Sequence, residues 1–139
     1  MKGKVFFDTN FFVYLFSATE LEKRTKCFHL LERLKERSCT LVWSTQIIQE
    51  FYNVMTLKFN KDPRVVKSSL KLFDHFELVV NNRPIIENAI DIQTTSGFSF
   101  WDSLVVSAAL HANCSTIITE DLSEGQSING ILIQNPFTL

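Results

Sequence analysis

Glycine and proline are scarce here, 4 and 3 of 139 residues, and no linker, internal repeat or low-complexity tract interrupts the chain. This argues against flexibly tethered modules and for one domain over residues 1–139, long enough to bury a sizeable core. Cysteine is also sparse. Cys27, Cys39 and Cys114 are odd in number and far apart, which excludes a disulfide framework and a zinc-ligand pattern. Each reads as a small buried hydrophobe. His29, His75 and His111 are isolated and show no paired ligand spacing. No excess of one charge exists: 14 Lys and Arg face 15 Asp and Glu, for a net charge of −1. A global attraction to polyanions is thereby excluded, so any such binding needs a local basic patch and metal ions. No apolar run is long enough for a bilayer, and no signal-peptide core precedes a small-residue cleavage site. The expectation is a cytoplasmic protein with no membrane partner.

Short apolar runs alternate with amphipathic segments. Val5–Phe7, Leu41–Trp43, Leu78–Val80, Thr116–Thr119 and Ile131–Ile133 read as five buried strands. A helix is expected to start at Asn10. Thr19-Glu20-Leu21-Glu22 has a capping-box pattern before a second helix, with Leu21, Phe28, Leu31 and Leu34 inward. Ser44 or Thr45 would cap a third, with Ile47, Ile48, Phe51, Val54 and Met55 inward. Asp62-Pro63 starts a fourth, with Val65, Val66, Leu70, Phe73 and Phe76 inward. A fifth over Arg83–Thr94 turns on Ile86, Ala89 and Ile90, and Gly97 suits the left-handed residue just past its end. Ser99 opens a sixth, and residues 125–130 read as a loop. Strands alternating with helices imply a parallel sheet with right-handed crossovers.

Four acids stand at strand ends or early in helices: Asp8, Glu50, Asp102 and Asp121. Each has an ordinary explanation. Asp8 suits a helix N-cap, and Asp102 completes a Ser99-x-x-Asp102 capping box. Asp121 suits a turn after a strand, and Glu50 could pair with a basic side chain. Glu120 should point away from Asp121. Taken jointly, the four lie where an open α/β sheet places its ligand crevice. Carboxylates converging there repel one another unless a cation neutralises them. Hard oxygen ligands suit Mg²⁺ or Mn²⁺, which activate water and clamp phosphate oxygens.

This arrangement resembles the PIN-domain ribonucleases, and among them the small VapC-type toxins of toxin–antitoxin pairs. The matching residues are Phe7-Asp8-Thr9-Asn10, Ser44 followed by Glu50, Trp101-Asp102, and Thr119-Glu120-Asp121, in order over essentially the whole chain. The resemblance implies a three-layer α/β/α fold around a five-stranded parallel sheet, and Mg²⁺- or Mn²⁺-dependent hydrolysis of RNA phosphodiesters. It implies that Asp8, Glu50, Asp102 and Asp121 ligate metal directly or through water, with Asn10, Ser44 and Thr119 in support. A homodimer and a silencing antitoxin partner are implied as well. The chain departs from the pattern in its weak basicity. A candidate RNA-facing patch is Lys58, Lys61, Arg64, Lys67 and Lys71, several at helical spacing, although a solvated helix face also explains them.

Other functions would use the same acids. A haloacid-dehalogenase-like phosphatase also wants an aspartate after the first strand. Its general acid would fall on Asn10, which cannot donate a proton in that role. A phosphoacceptor signalling domain would want an aspartate after the third strand, where the chain has Asn81-Asn82. A PIN nuclease of RNA processing and an inactive PIN-fold binding module remain open alternatives.

Overall fold

The computed structural model describes residues 3–139; Met1 and Lys2, within the expected 1–139 span, lie outside the described residues. β1 (Lys4–Phe7) has three residues with no solvent exposure, Val5, Phe6 and Phe7. A strand buried on both faces must be covered from both sides, as in an α/β layered sheet. β2 (Thr40–Ser44) and β4 (Thr116–Ile118) flank it in parallel, with Phe6 opposite Val42 and Ile117. β3 (Glu77–Val79) extends the sheet beyond β2, and β6 (Ile131–Gln134) extends it beyond β4, both parallel. The order is β3-β2-β1-β4-β6-β5, with β5 (Ser127–Ile128) at the far edge. The chain therefore builds away from β1 on one side and returns to build on the other. The switch lies between the carboxyl ends of β1 and β4, where such sheets open a crevice.

The helices are α1 (Thr9–Leu15), α2 (Leu21–Glu36), α3 (Thr45–Leu57), α4 (Pro63–Ser69), α5 (Arg83–Ser96) and α6 (Phe100–His111). A 3₁₀ turn, Leu70–Phe73, follows α4. The phenylalanines explain how one face is filled. Phe7 meets Phe11, Phe12 and Phe76 with ring centroids 4.6, 6.2 and 5.6 Å apart. Phe12 also touches Trp43, Phe51 and Phe73, so one aromatic cluster ties β1 and β2 to α1, α3 and the 3₁₀ turn. Tilted and edge-on pairs of this kind contribute about 0.5–1.5 kcal/mol each beyond area burial. α5 and α6 pack on each other, and Ser107 Oγ donates to the Ile85 carbonyl across that contact at 2.7 Å.

The expected α/β class, parallel core and six helices are present. The sheet differs in one strand. β5 (Ser127–Ile128) pairs antiparallel with β6, Ser127 opposite Leu132 and Ile128 opposite Ile131, where a loop was expected. Its two-residue turn, Asn129-Gly130, has φ of 49° and 86°, the paired positive angles that match the twist of a tight hairpin. The sheet is thus six-stranded and mixed at one edge.

Helix details also differ. Thr19 forms no capping box: Glu20 is the N-cap of α2, and Ser17 Oγ accepts from the Thr19 and Glu20 amides. Leu21 and Phe28 are exposed, while Cys27, Leu30, Leu31 and Leu34 face in, because α2 is rotated from the expected phase. α5 is rotated likewise: Ile85, Ala89 and Ile92 are inward, while Ile86 and Ile90 are exposed. Val65 is exposed and Val66 alone of α4 is buried. Gly97 does end α5 with φ of 78°, its amide donating to the Gln93 carbonyl. Burial pushes the Cys27 and Cys114 thiols up to about 12, so both behave as apolar filler. Among the described residues no helix is long and apolar enough to cross a membrane.

Candidate active site

Asp8 follows β1 directly and caps α1, so its ordinary role and its site role coexist. Its Oδ1 accepts from the Thr9 amide at 2.7 Å, and its Oδ2 accepts from Thr119 Oγ1 at 2.8 Å. Thr119 follows β4, the strand beside β1, and the Asp8 amide donates to the Ile118 carbonyl. Adjacent parallel strands thus bring residues 111 positions apart into contact at the switch point. Thr119 Oγ1 also accepts from the Asp121 amide at 3.1 Å, which fixes the turn carrying Asp121. Asn10, one residue into α1, donates from Nδ2 to Asp121 Oδ2 at 3.4 Å, a long contact.

The other two acids come from helix starts. Asp102 stands in the first turn of α6, where Ser99 Oγ accepts from its amide at 3.1 Å. That is half of the expected capping box. The Asp102 carboxylate takes no hydrogen bond among the described residues. Glu50 is half-buried in the second turn of α3, and its Oε1 is buried with no hydrogen-bond partner.

Electrostatics shows that the four share one region. Burial raises the Asp8 carboxyl from 3.8 to about 6, against the lowering pull of Thr9 and Thr119, and the charges of Asp121 and Asp102 raise it further. Glu50 is raised by burial and by Asp8, Asp102 and Asp121, with Gln46 pulling the other way. Asp121 is raised by burial, then by Glu120 and Asp102. Like charges that disfavour one another's ionisation are what a cation relieves. Among the described residues no three such side chains lie close enough to grip a bare ion. Mg²⁺ and Mn²⁺ tolerate that, since Mg²⁺ keeps several waters and is held by one or two carboxylates. The donor set is all hard oxygen, and the orphaned Glu50 Oε1 gains a partner if an ion or its water sits there. The residues present fit such an ion.

One expected supporting residue, Ser44, makes no hydrogen bond to the acids. Ser44 ends β2 fully buried and is the N-cap residue of α3, yet its hydroxyl makes no cap bond and has no partner. Glu120 is turned elsewhere as expected: Tyr14 Oη donates to it at 2.6 Å, and Lys23 stands 3.8 Å away. The basic residues Lys58, Lys61, Arg64, Lys67 and Lys71 run from the end of α3 to the 3₁₀ turn, all exposed. None of the five forms an ion pair among the described residues.

Sequence reasoning missed Gln46. It is buried four residues before Glu50 on α3, and its Nε2 donates to the Trp101 carbonyl at 3.2 Å. One amide therefore couples the Glu50 helix to the start of the Asp102 helix. The i, i+4 spacing to Glu50 was the available signal. The concavity that touches Asp8, Asn10 and Thr119 holds only about 10 Å³. The roomier concavities lie elsewhere, one of them between α2 and the C-terminal residues Pro136, Phe137 and Leu139.

The sequence finds no match among curated proteins. Solved structures do match. VapBC2 of Rickettsia felis, bound to a DNA fragment from its promoter, is 18% identical with a TM-score of 0.71, covering 95% of this chain and 98% of that one. A toxin–antitoxin complex from Klebsiella pneumoniae is 17% identical with a TM-score of 0.70, covering 95% and 97%. VapC20 of Mycobacterium tuberculosis, a sarcin–ricin-loop-cleaving toxin, is 14% identical with a TM-score of 0.65, covering 81% and 86%. At such identities the likeness establishes the fold alone. The family model for the PIN domain matches residues 4–123, most of the chain, and on that match the chain belongs to the PIN-domain family.

Proposed function

We propose that this chain is a Mg²⁺- or Mn²⁺-dependent ribonuclease that hydrolyses RNA phosphodiester bonds, and that it is the toxin of a VapBC-type pair. The observation that carries the reading is the gathering of Asp8, Glu50, Asp102 and Asp121 at the switch point of the sheet, where their charges disfavour one another. These four hold the metal, directly or through water. When bound, it supplies an activated water and a clamp on the phosphate oxygens. Thr119 fixes the Asp8 carboxylate, Asn10 steadies Asp121, and the unpartnered Ser44 hydroxyl at the end of β2 is the third supporting group. Lys58, Lys61, Arg64, Lys67 and Lys71 contact the RNA backbone. The phosphatase reading weakens further, since Asn10 Nδ2 is committed to Asp121 and Glu50 and Asp102 would have no task.

The toxin role is supported by the shared fold of the toxin–antitoxin structures. It carries with it an antitoxin partner, a homodimer, a single PIN domain and a cytoplasmic setting. The test is cleavage of a mixed RNA substrate with Mg²⁺ or Mn²⁺ by the wild type, Asp8→Asn and Asp102→Asn. Cleavage by the wild type and a loss of 100-fold or more in each variant is expected, on the order of what a positioned acid–base or metal group contributes. Equal activity in all three, or none with either ion, removes the nuclease reading. Growth arrest on expression, relieved by a small reading frame directly upstream, tests the toxin role. A PIN nuclease of RNA processing would cleave without arresting growth.

A further inference from the structure

We propose that Trp101 is a stacking platform for a nucleobase, seating an unpaired base beside the scissile phosphate. The inference rests on the nuclease reading above and specifies the form of its substrate. Trp101 is 62% exposed, whereas Trp43 is 5% exposed in the aromatic core. Exposed apolar side chains are ordinary in this chain, Leu57 and Leu72 among them. What sets Trp101 apart is a large exposed π face next in sequence to one of the four acids. It is not needed to bury α6, since every residue from Ser103 to Ala109 is already buried.

Its position connects it to the acids. Trp101 and Asp102 are consecutive, so their Cα atoms are about 3.8 Å apart. A phosphate held at the carboxylates places a neighbouring base within reach of the indole. The platform is held in place. Gln46 Nε2 fixes the Trp101 carbonyl, the Ser99 cap fixes the first turn, and Phe100 packs edge-on to the indole at 5.1 Å and 75°. One edge-on neighbour and high exposure leave a flat π surface for a second ring.

Charge favours a base as the occupant. An acidic centre repels a polyanion everywhere except at its metal, so affinity beside it must come from a contact that carries no charge. Stacking does that and accepts any base. It needs an unpaired base, because those inside a duplex are already stacked on one another.

Only two tryptophans are present, which gives the test an internal reference. Cleavage kinetics of a short oligouridylate are measured for wild type, Trp101→Phe and Trp101→Ala. Fluorescence is followed in the cleavage-impaired Asp8→Asn background as the same oligomer, or an abasic oligomer of equal charge, is added. Expected are a KM raised roughly tenfold or more in Trp101→Ala, near-wild-type KM in Trp101→Phe, and a kcat changed far less. Quenching should follow the oligouridylate, not the abasic oligomer, and vanish in Trp101→Phe, leaving the Trp43 signal. An unchanged KM in Trp101→Ala, or equal quenching by both oligomers, overturns the subsite. So does a variant that keeps its KM but loses self-association, which would assign the indole to a protein contact. If the wild type cleaves no RNA, the nuclease reading falls and the subsite with it; cleavage without a Trp101 effect removes the subsite alone.

Discussion

Asp8 meets two demands that pull in opposite directions. As the N-cap of α1 it is anchored by Thr9 and Thr119, and as a member of the acidic group it is buried beside Asp121 and Asp102. Its carboxyl stands at about 6 instead of 3.8, so the folded chain holds that proton more tightly than the unfolded chain does. The stability this contributes is fully present below pH 3.8 and is lost as pH rises through about 6. Above that, the ionised carboxylate costs the metal-free fold on the order of 3 kcal/mol. Asp8→Asn removes the titration while keeping an acceptor for the Thr9 amide. The expectation is that in chelator at pH 7.5 this variant melts several degrees above the wild type, and that the gap closes near pH 4. Adding Mg²⁺ or Mn²⁺ should raise the wild-type melting temperature and leave the variant's unchanged. A variant less stable than wild type in chelator at pH 7.5 would mean that the ionised carboxylate holds the fold together instead of straining it. The same burial and repulsion act on Glu50, so Glu50→Gln should show a smaller shift of the same sign.

Secondary-structure elements show what could be read in advance and what could not. The strands and the turns that end them were legible because buried runs end abruptly in polar turn formers, as at Phe7-Asp8 and Ile118-Thr119, whereas their order in the sheet was not. The β5–β6 hairpin was missed, although Asn129-Gly130 between apolar residues is a strong short-range turn signal, because residues 125–130 read as one loop. Helix phase in α2 and α5 was not legible either. Exposed Leu21, Phe28, Ile86 and Ile90 match helical spacing as well as the buried set does, and only the packed neighbours decide between them. Gln46 was hidden for a similar reason, because its partner at Trp101 lies 55 residues away. The hairpin turn can be tested directly. A Cβ at Gly130 meets nothing within 4 Å, so Gly130→Ala is penalised only by its φ of 86°. The expected cost is about 1–2 kcal/mol, read by chemical denaturation, with the proposed cleavage unchanged because the turn follows the four acids in the chain. A loss of activity at unchanged stability would instead tie the β5 edge to substrate.

At the scale of the whole molecule the difficulty is charge. On the proposed ribonuclease reading, a net −1 protein with an acidic centre must still attract RNA, and neutralising that centre does not make the rest of the surface attractive. Lys4, Lys23, Lys26 and Arg83 are spent in ion pairs with Glu77, Glu120, Glu22 and Glu87. Lys58, Lys61, Arg64, Lys67 and Lys71 are unpaired among the described residues, and they begin where the Glu50 helix ends. Eight residues separate Glu50 from Lys58 along α3, about 12 Å of helix. A strand whose phosphate sits at the acids can therefore lay its continuation along α4. Arg64 and Lys67 also stand at an open groove with Ile48, Tyr52, Pro63 and Leu70 whose surface is mainly apolar, so the backbone would meet only their charged tips at its rim. Each phosphate contact contributes about 0.7 to the slope of log affinity against log salt for a single strand. Reversing both charges, Arg64→Glu with Lys67→Glu, should lower that slope by roughly 1.4 or more and weaken binding most at low salt. It should leave the metal-dependent melting shift intact, because neither residue touches the acids. If the salt slope does not move, the α4 residues are only a solvated helix face, and the RNA track must run along another surface from the same acidic edge.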